Sequence, residues 1–356
     1  MKKLLLLSFF ATSLFLLGCS KDSGTNPEDQ SILPPSFNID IPDAISYEAP
    51  LAKISCDTVE GGLVYSNIGL FIHAGEEASD IIQDIISAIK KNNINQPMEI
   101  TYTSKDDSRT KTLVVKQNVE AAGETWDFEM TIKDESTELA FQLYWDVNPV
   151  KGIAVLYPKY YNKANADFTS GLMYKVEYSE SDSHYDKTMT VSISGFPASG
   201  IFGINNMKMF VGKKGSVFDI YGNSNHPYMQ LFDKTFEGGR NYAFRARADQ
   251  ALNIGLAELA LPPSIVQTNE NLFTDYSVFK VFKEEATKAV PGINPSLLDL
   301  YLANTKGPAY FVKDRGFVSA GVPPANIAGF TESFINISSL TPYVPYDIKT
   351  LKVEFF

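Results

Sequence analysis

Between residues 77 and 92 the apolar positions recur at spacings of three and four. Ile81, Ile82, Ile85, Ile86 and Ile89 form one wide stripe, which predicts an amphipathic helix over Glu77 to Asn92. Upstream, Tyr65, Ile68 and Ile72 also share a helical face, and Leu63 to Phe71 is read as helix with a strand as the competing reading.

From Met98 the period changes to two. Trp126, Phe128, Met130 and Ile132 alternate with Asp127, Glu129 and Thr131, and Leu139, Phe141, Leu143 and Trp145 repeat the pattern after a polar turn at 134–137. These eight large side chains are expected on one face of two hairpin-connected strands. Ile100 with Tyr102 and Leu113 to Val115 make an earlier pair. Gly152 to Tyr157, Leu172 to Tyr178, Met189 to Ile193, Met207 to Val211, Val217 to Tyr221 and Tyr242 to Ala246 continue the series, giving nine or ten antiparallel strands in a meander. After Pro262 the spacing turns helical through Leu272, Tyr276, Phe279 and Phe282. Ser296 is expected to cap a short helix over Leu297 to Ala303, and Leu351, Val353 and Phe355 alternate as a last strand.

The expected fold is α+β. A large antiparallel meander sheet, curved or half-barrel-like, packs on the Ile-rich helix, and a helical C-terminal portion closes one side. One helix about 10–12 Å across cannot cover nine strands spaced about 4.8 Å apart. The C-terminal helices, a second layer or a ligand must complete the cover. The likeness to the half-barrel folds of periplasmic lipid carriers and some Gram-negative lipoproteins is one of element order alone.

The start of the chain has a different texture. Lys2 and Lys3 precede an apolar run from Leu4 to Leu17 that ends in Leu16-Leu17-Gly18-Cys19. A charged n-region, a short apolar h-region and a small residue before the cut are the parts of a signal peptide. The last four residues resemble the lipobox of bacterial lipoproteins. That resemblance implies cleavage after Gly18, a diacylglycerol on the Cys19 sulfur and anchoring in the cell envelope. Ser20, where an Asp would retain the protein at the inner membrane, resembles the pattern for transfer to the outer membrane. Lys21-Asp22 resembles part of a surface-export signal, with Ser23 where a second acid belongs, so the periplasmic and surface sides both stay open. Residues 20–36 are rich in Ser, Asp, Pro and Asn and read as a tether. The expected organisation is a signal peptide at 1–18, lipidated Cys19 and tether at 19–36, a β-rich domain with its helix at 37–260, and a helical segment with a closing strand at 261–356.

Charge and cysteine usage narrow the function. The formal net charge is -11, and becomes -13 once Lys2 and Lys3 are removed, with no Lys/Arg run, so no nucleic acid partner is expected. With Cys19 spent on lipid, Cys56 is alone and is read as a small buried hydrophobe.

Chemistry-bearing constellations are few. The three histidines, His73, His184 and His226, offer no helical metal pair, and no cofactor or metal is expected. Gly222-Asn223-Ser224-Asn225-His226 brings serine and histidine close, but a nucleophile elbow needs glycine where His226 stands, and the segment reads as a loop after a strand. Gly212 to Ser216 reads as a hairpin turn. Arg245 and Arg247 share one strand face and read as a solvated pair. Among the 24 Phe, 18 Tyr and 2 Trp, the cluster Tyr157, Tyr160 and Tyr161 around Pro158 falls outside the apolar faces. It could stack on sugar rings or rim a pocket. These three tyrosines, with Trp126 and Trp145, are the candidate ligand-binding residues. The expected function is non-catalytic binding of an apolar or amphipathic ligand at the envelope, with a surface interaction module for glycan or protein as the alternative. An enzyme is not expected.

Overall fold

The computed structural model describes residues 32–43, 45–46, 61–91, 94, 96–135, 137–165, 171–197, 203–227, 239–264, 271–312, 316–318, 323, 325, 327 and 345–356. The expectations for the signal peptide, Cys19, most of the tether and Cys56 lie outside the described residues.

The molecule is built on one antiparallel sheet of 13 strands whose spatial order is their order along the chain. The strands are β1 Met98–Thr103, β2 Thr110–Ala121, β3 Glu124–Asp134, β4 Glu138–Val147, β5 Val150–Leu156, β6 Met173–Ser179, β7 Lys187–Ser194, β8 Asn206–Lys214, β9 Val217–His226, β10 Arg240–Asp249, β11 Ile254–Ala260, β12 Ala309–Val312 and β13 Gly316–Val318. The meander expected from period-two alternation is therefore present and longer than nine or ten strands. Ile254 to Ala260 is apolar at almost every position, so β11 shows no alternation. β12 and β13 are too short to show a period.

Helix α1 covers Gly61–Lys90 as one piece of 30 residues. Its side chains Ile68, Ile72, Ile82 and Ile86, all inaccessible to solvent, belong to the same apolar cluster as Met130, Leu143, Val176, Val191 and Met209 of the strands. Two glycines record the closeness of approach. A Cβ on Gly222 would stand 2.0 Å from Phe244 and 2.6 Å from Phe71, and one on Gly75 would stand 2.4 Å from the Met209 methyl. The chain before the helix fills more of the same cluster through Leu33, Phe37, Ile39 and Ile41. Phe37 packs against the Tyr178 ring at 5.5 Å, and the Trp145 indole N–H donates to Ile32 O at 2.7 Å. Leu33, within the stretch assigned to the tether, is thus a core residue.

Six large side chains of β3 and β4 join the cluster as expected, and two do not. Trp126 faces the other way: its ring lies 6.2 Å from Tyr144, and Lys151 Nζ sits 4.8 Å above it, whereas Phe128 stacks on Trp145. On the facing strand, Asn118 adopts a left-handed φ of 53° opposite this point, a local turn of the ladder that period-two counting cannot see. Leu139 is displaced by a one-residue shift of pairing between Ile132 and Lys133, which sets it opposite Lys133 and leaves it half-buried.

The C-terminal portion also departs from expectation. The helix over Leu272 to Phe282 is two pieces, α2 Leu272–Asp275 and α3 Val278–Ala289, and α4 is Pro295–Tyr301. Asn294, not Ser296, caps α4: its side chain accepts from the Ser296 N–H, and Pro295 follows as first helical residue. Residues 351–356 form no strand. They run as a strap whose Val353 N–H donates to Ser194 Oγ and whose Phe356 N–H donates to Gln142, each at 3.0 Å.

A meander sorts its connections by end. The links at 122–123, 148–149, 180–186, 215–216 and 250–253 lie at one end of the sheet. The connections 157–172, 195–205, 227–239 and 261–308 all leave the other. The turn expected at Gly212 to Ser216 is one of the short links.

Candidate functional site

The long-connection end gathers the buried charge. Lys111 opens the apolar-facing series that continues as Leu113 and Val115, and Asp134 closes the series Met130, Ile132. Both are buried, at 2% and 0% exposure. Lys111 Nζ donates to Asp134 Oδ1, Asp107 Oδ2 and the Tyr160 carbonyl, each at 2.9 Å, which uses all three of its protons. Arg109 Nε reaches both Asp134 oxygens at 3.0 Å, and Lys163 Nζ reaches Oδ2 at 2.9 Å. Burial alone would raise the Asp134 pKa. Hydrogen bonds from Arg109, Lys111 and Lys163 outweigh it and hold the carboxyl at about 2. Asp107 is held low for the same reason, with the Lys163 and Arg109 backbone N–H groups adding to Lys111.

This network fixes the segment that carries the tyrosines. Tyr157 donates its N–H to Ala140 O at 2.9 Å, Pro158 starts a single helical turn over Pro158–Tyr161, and Asn162 closes it by donating to Pro158 O. The turn brings Tyr157 and Tyr160 edge to face at 4.8 Å, both half-buried. Lys159 and Lys163 lie 5.6 and 5.3 Å from the Tyr160 ring centre. Tyr161 turns inward and packs on the apolar cluster, where burial raises its hydroxyl pKa. The predicted trio is thus split into a two-ring ledge and a half-buried ring that packs against the apolar cluster. Trp145 is fully buried and Trp126 is 3% exposed, so neither offers a ring face to a ligand.

The apolar face is closed as well. Met130, Leu143, Trp145, Val176, Met189, Val191, Met209, Val211, Ile68, Ile72 and Ile86 each have 0% exposure, so none borders a void that admits water. An open depression of about 710 Å³ lies on α3, lined by Phe279, Lys280, Lys283 and Thr287 among others.

Gly222 to His226, expected as a loop, is instead the end of β9, paired with β8 and β10 and buried. Ser224 Oγ lies 3.1 Å from His226 Nδ1, so the two residues do meet. Burial pushes the His226 pKa down to about 4, against a weaker opposing effect of a hydrogen bond with the Ser224 backbone. Ser224 has 0% exposure, and no carboxylate among the described residues bonds the imidazole. Arg245 and Arg247 are not a free cationic pair: Arg245 bonds Glu258, and Arg247 grips both Asp219 oxygens at 2.6 and 2.7 Å. His184 is in the exposed link between β6 and β7, and His73 pairs with Glu77 at 3.3 Å along α1.

The Lys111 network escaped sequence reading although it left a trace. Lys111 and Asp134 occupy positions that period two reserves for apolar side chains, and a charge there demands a buried partner. No family model, no curated protein and no solved structure matches this chain.

Proposed function

We propose that this is a lipid-anchored, non-catalytic protein of the bacterial cell envelope, held on the outer membrane through Cys19, whose folded part binds a glycan on the Tyr157/Tyr160 ledge. The observation that carries the reading is the pairing of an accessible two-ring surface with a buried ion network beneath it. Lys111 holds the Tyr160 carbonyl at 2.9 Å, so the rings are positioned before any ligand arrives. Sugar rings present an apolar C–H face to aromatic rings and hydroxyls to flanking charges. Lys159 and Lys163, beside the Tyr160 ring, supply such charges.

The meander, with α1 and residues 32–46 in its apolar cluster, is read as a curved, half-barrel-like sheet wrapped on the Ile-rich helix. An internal apolar ligand is the weaker reading, because the chain's own side chains occupy the face that would receive it. The test has two arms. Mass spectrometry of membrane-extracted protein should find a diacylglyceryl group on Cys19, and an unmodified Cys19 would remove the anchor. A glycan array probed with wild type and Tyr160→Ala should show binding that the variant loses. Equal signals from the two proteins, or none, would remove the ledge.

A further inference from the structure

The two edges of the sheet are treated differently. β13 is three residues long and lies against α1. β1 has six residues, Met98 to Thr103, and ends the strand order with no further strand paired to it among the described residues. Its one protection is the charge of Glu99, and it has no Pro, Gly, Lys or bulge within it. Met98, Ile100 and Tyr102 stand on the face that packs inward yet are only half-buried, and among the described residues no strand lies beyond them.

The phase of the free ladder can be read from its hairpin. Ser104 donates its N–H to Arg109 O at 2.8 Å, so by antiparallel alternation Met98, Ile100 and Tyr102 also direct their backbone groups to β2. Glu99, Thr101 and Thr103 direct theirs outward. A second β1 laid antiparallel about Ile100 meets this phase. Ile100 then faces Ile100 of the partner subunit on the axis as a non-hydrogen-bonded pair. Glu99 and the partner's Thr101 exchange N–H and C=O bonds, and Met98 faces the partner's Tyr102. Apolar meets apolar, and the single charge, Glu99, meets a threonine instead of its own copy. Pro97, with no N–H, ends the ladder at Met98.

We propose that β1 is a homodimer edge, pairing with β1 of a second copy of this chain in that register. The pairing is isologous and buries the half-exposed Met98, Ile100 and Tyr102. It does not depend on the glycan reading or on the anchor.

The test is sedimentation velocity of the full chain in mild detergent from about 1 to 100 µM, where the wild type should pass from monomer to dimer. Ile100→Lys sets two like charges face to face on the axis and should weaken the dimer at least about tenfold. Thr101→Lys places each new ammonium opposite Glu99 of the partner subunit and should tighten it about fivefold. Both positions face solvent at least in part, and circular dichroism checks that each variant folds. Amide exchange of the wild type supplies a variant-free measurement: the Glu99 and Thr101 N–H groups should become protected as concentration rises. A wild type that stays monomeric to 100 µM overturns the proposal and leaves β1 as an edge for some other chain. So does a dimer that neither substitution changes, because its contact would lie elsewhere.

Discussion

The two ends of the meander solve different problems. Toward the short-link end the inward side chains are apolar: Trp145, Phe128, Phe37 and Tyr178 pack on one another, and Gly152 is required there because a Cβ would stand 2.8 Å from the Phe37 ring. At the long-connection end the inward positions turn polar, with Lys111, Asp134, Ser224, His226 and Arg240 all buried. Every one has a specific partner, and Arg240 ties β10 to α3 through Glu285 at 2.6 Å. A dry end needs only shape, since its stability comes from area removed from water. A charged end needs each partner present, because removing one leaves an ion with nothing to offset its desolvation. The difference places the partner-dependent contacts where the long connections start, beneath the proposed binding ledge.

Cutting into the dry end should cost most. Trp145→Ala removes a fully buried ring that stacks on Phe128 at 5.2 Å, and should lower unfolding free energy by about 3–5 kcal/mol in urea titration. A loss below about 1 kcal/mol would mean that this end is not packed as described. At the charged end, Lys111→Met keeps the volume but takes from Asp107 the ammonium that hydrogen-bonds it and leaves Asp134 with Arg109 and Lys163. The expected loss is about 3 kcal/mol. Asp134→Asn added to Lys111→Met should restore part of it, whereas two independent sites would simply add.

The contrast also predicts a pH dependence that belongs to one end. His226 accepts a proton near 6.5 when unfolded and near 4 when folded, so the folded pKa is depressed. Its contribution is complete above about 6.5 and is lost as pH falls toward 4, for roughly 3 kcal/mol in all. Asp134 follows at lower pH: its contribution is complete above 3.8 and is lost as pH falls toward about 2. Stability measured by denaturant from pH 7 to about 2 should therefore fall in two stages. His226→Gln should flatten the first and leave the second. A first stage that survives His226→Gln would assign it to another group.

How much of this could be read in the residues follows from what periodicity measures. The stripe Ile81, Ile82, Ile85, Ile86, Ile89 and the alternations of β3, β4, β6, β7 and β8 are repeats with one strongly apolar face, so element and most facings were legible together. β11 is apolar on both faces and gives no period. Trp126 and Leu139 were assigned to the wrong face because the left-handed φ at Asn118 and the pairing shift beside Lys133 are local irregularities that leave no mark on a period-two pattern. Ser224 and His226 were placed in a loop because Gly, Asn and Ser are turn residues by habit. In β9 they are paired on both sides, and tertiary pairing overrode the propensity. Part of the cover of the apolar face came from Leu33, which fell in the stretch read as tether, and from Phe37, Ile39 and Ile41, which were assigned to no element. Of the candidate site, the tyrosine cluster was legible as an anomaly. Its support was not, since Lys111 and Tyr160 are joined only through space.

The smallest expected effect on stability is at the ledge, and there the comparison with the dry end is sharpest. Tyr160→Ala removes a half-buried ring whose contacts are the edge-to-face meeting with Tyr157 and the ammonium groups of Lys159 and Lys163. Such contacts contribute about 0.5–1.5 kcal/mol, so unfolding should shift by about 1 kcal/mol. The backbone carbonyl that Lys111 holds is untouched, which leaves the ion network and its low-pH stage in place. Glycan binding should nevertheless weaken about tenfold or more, since a stacked ring contributes on the order of 1.4 kcal/mol to association. Tyr160→Phe, which keeps the ring and drops the hydroxyl, separates stacking from hydrogen bonding: retained affinity assigns the contact to the ring face. A Tyr160→Ala variant destabilised as much as Trp145→Ala would instead make Tyr160 part of the packed interior, and the ledge would then be a structural corner with no surface to offer.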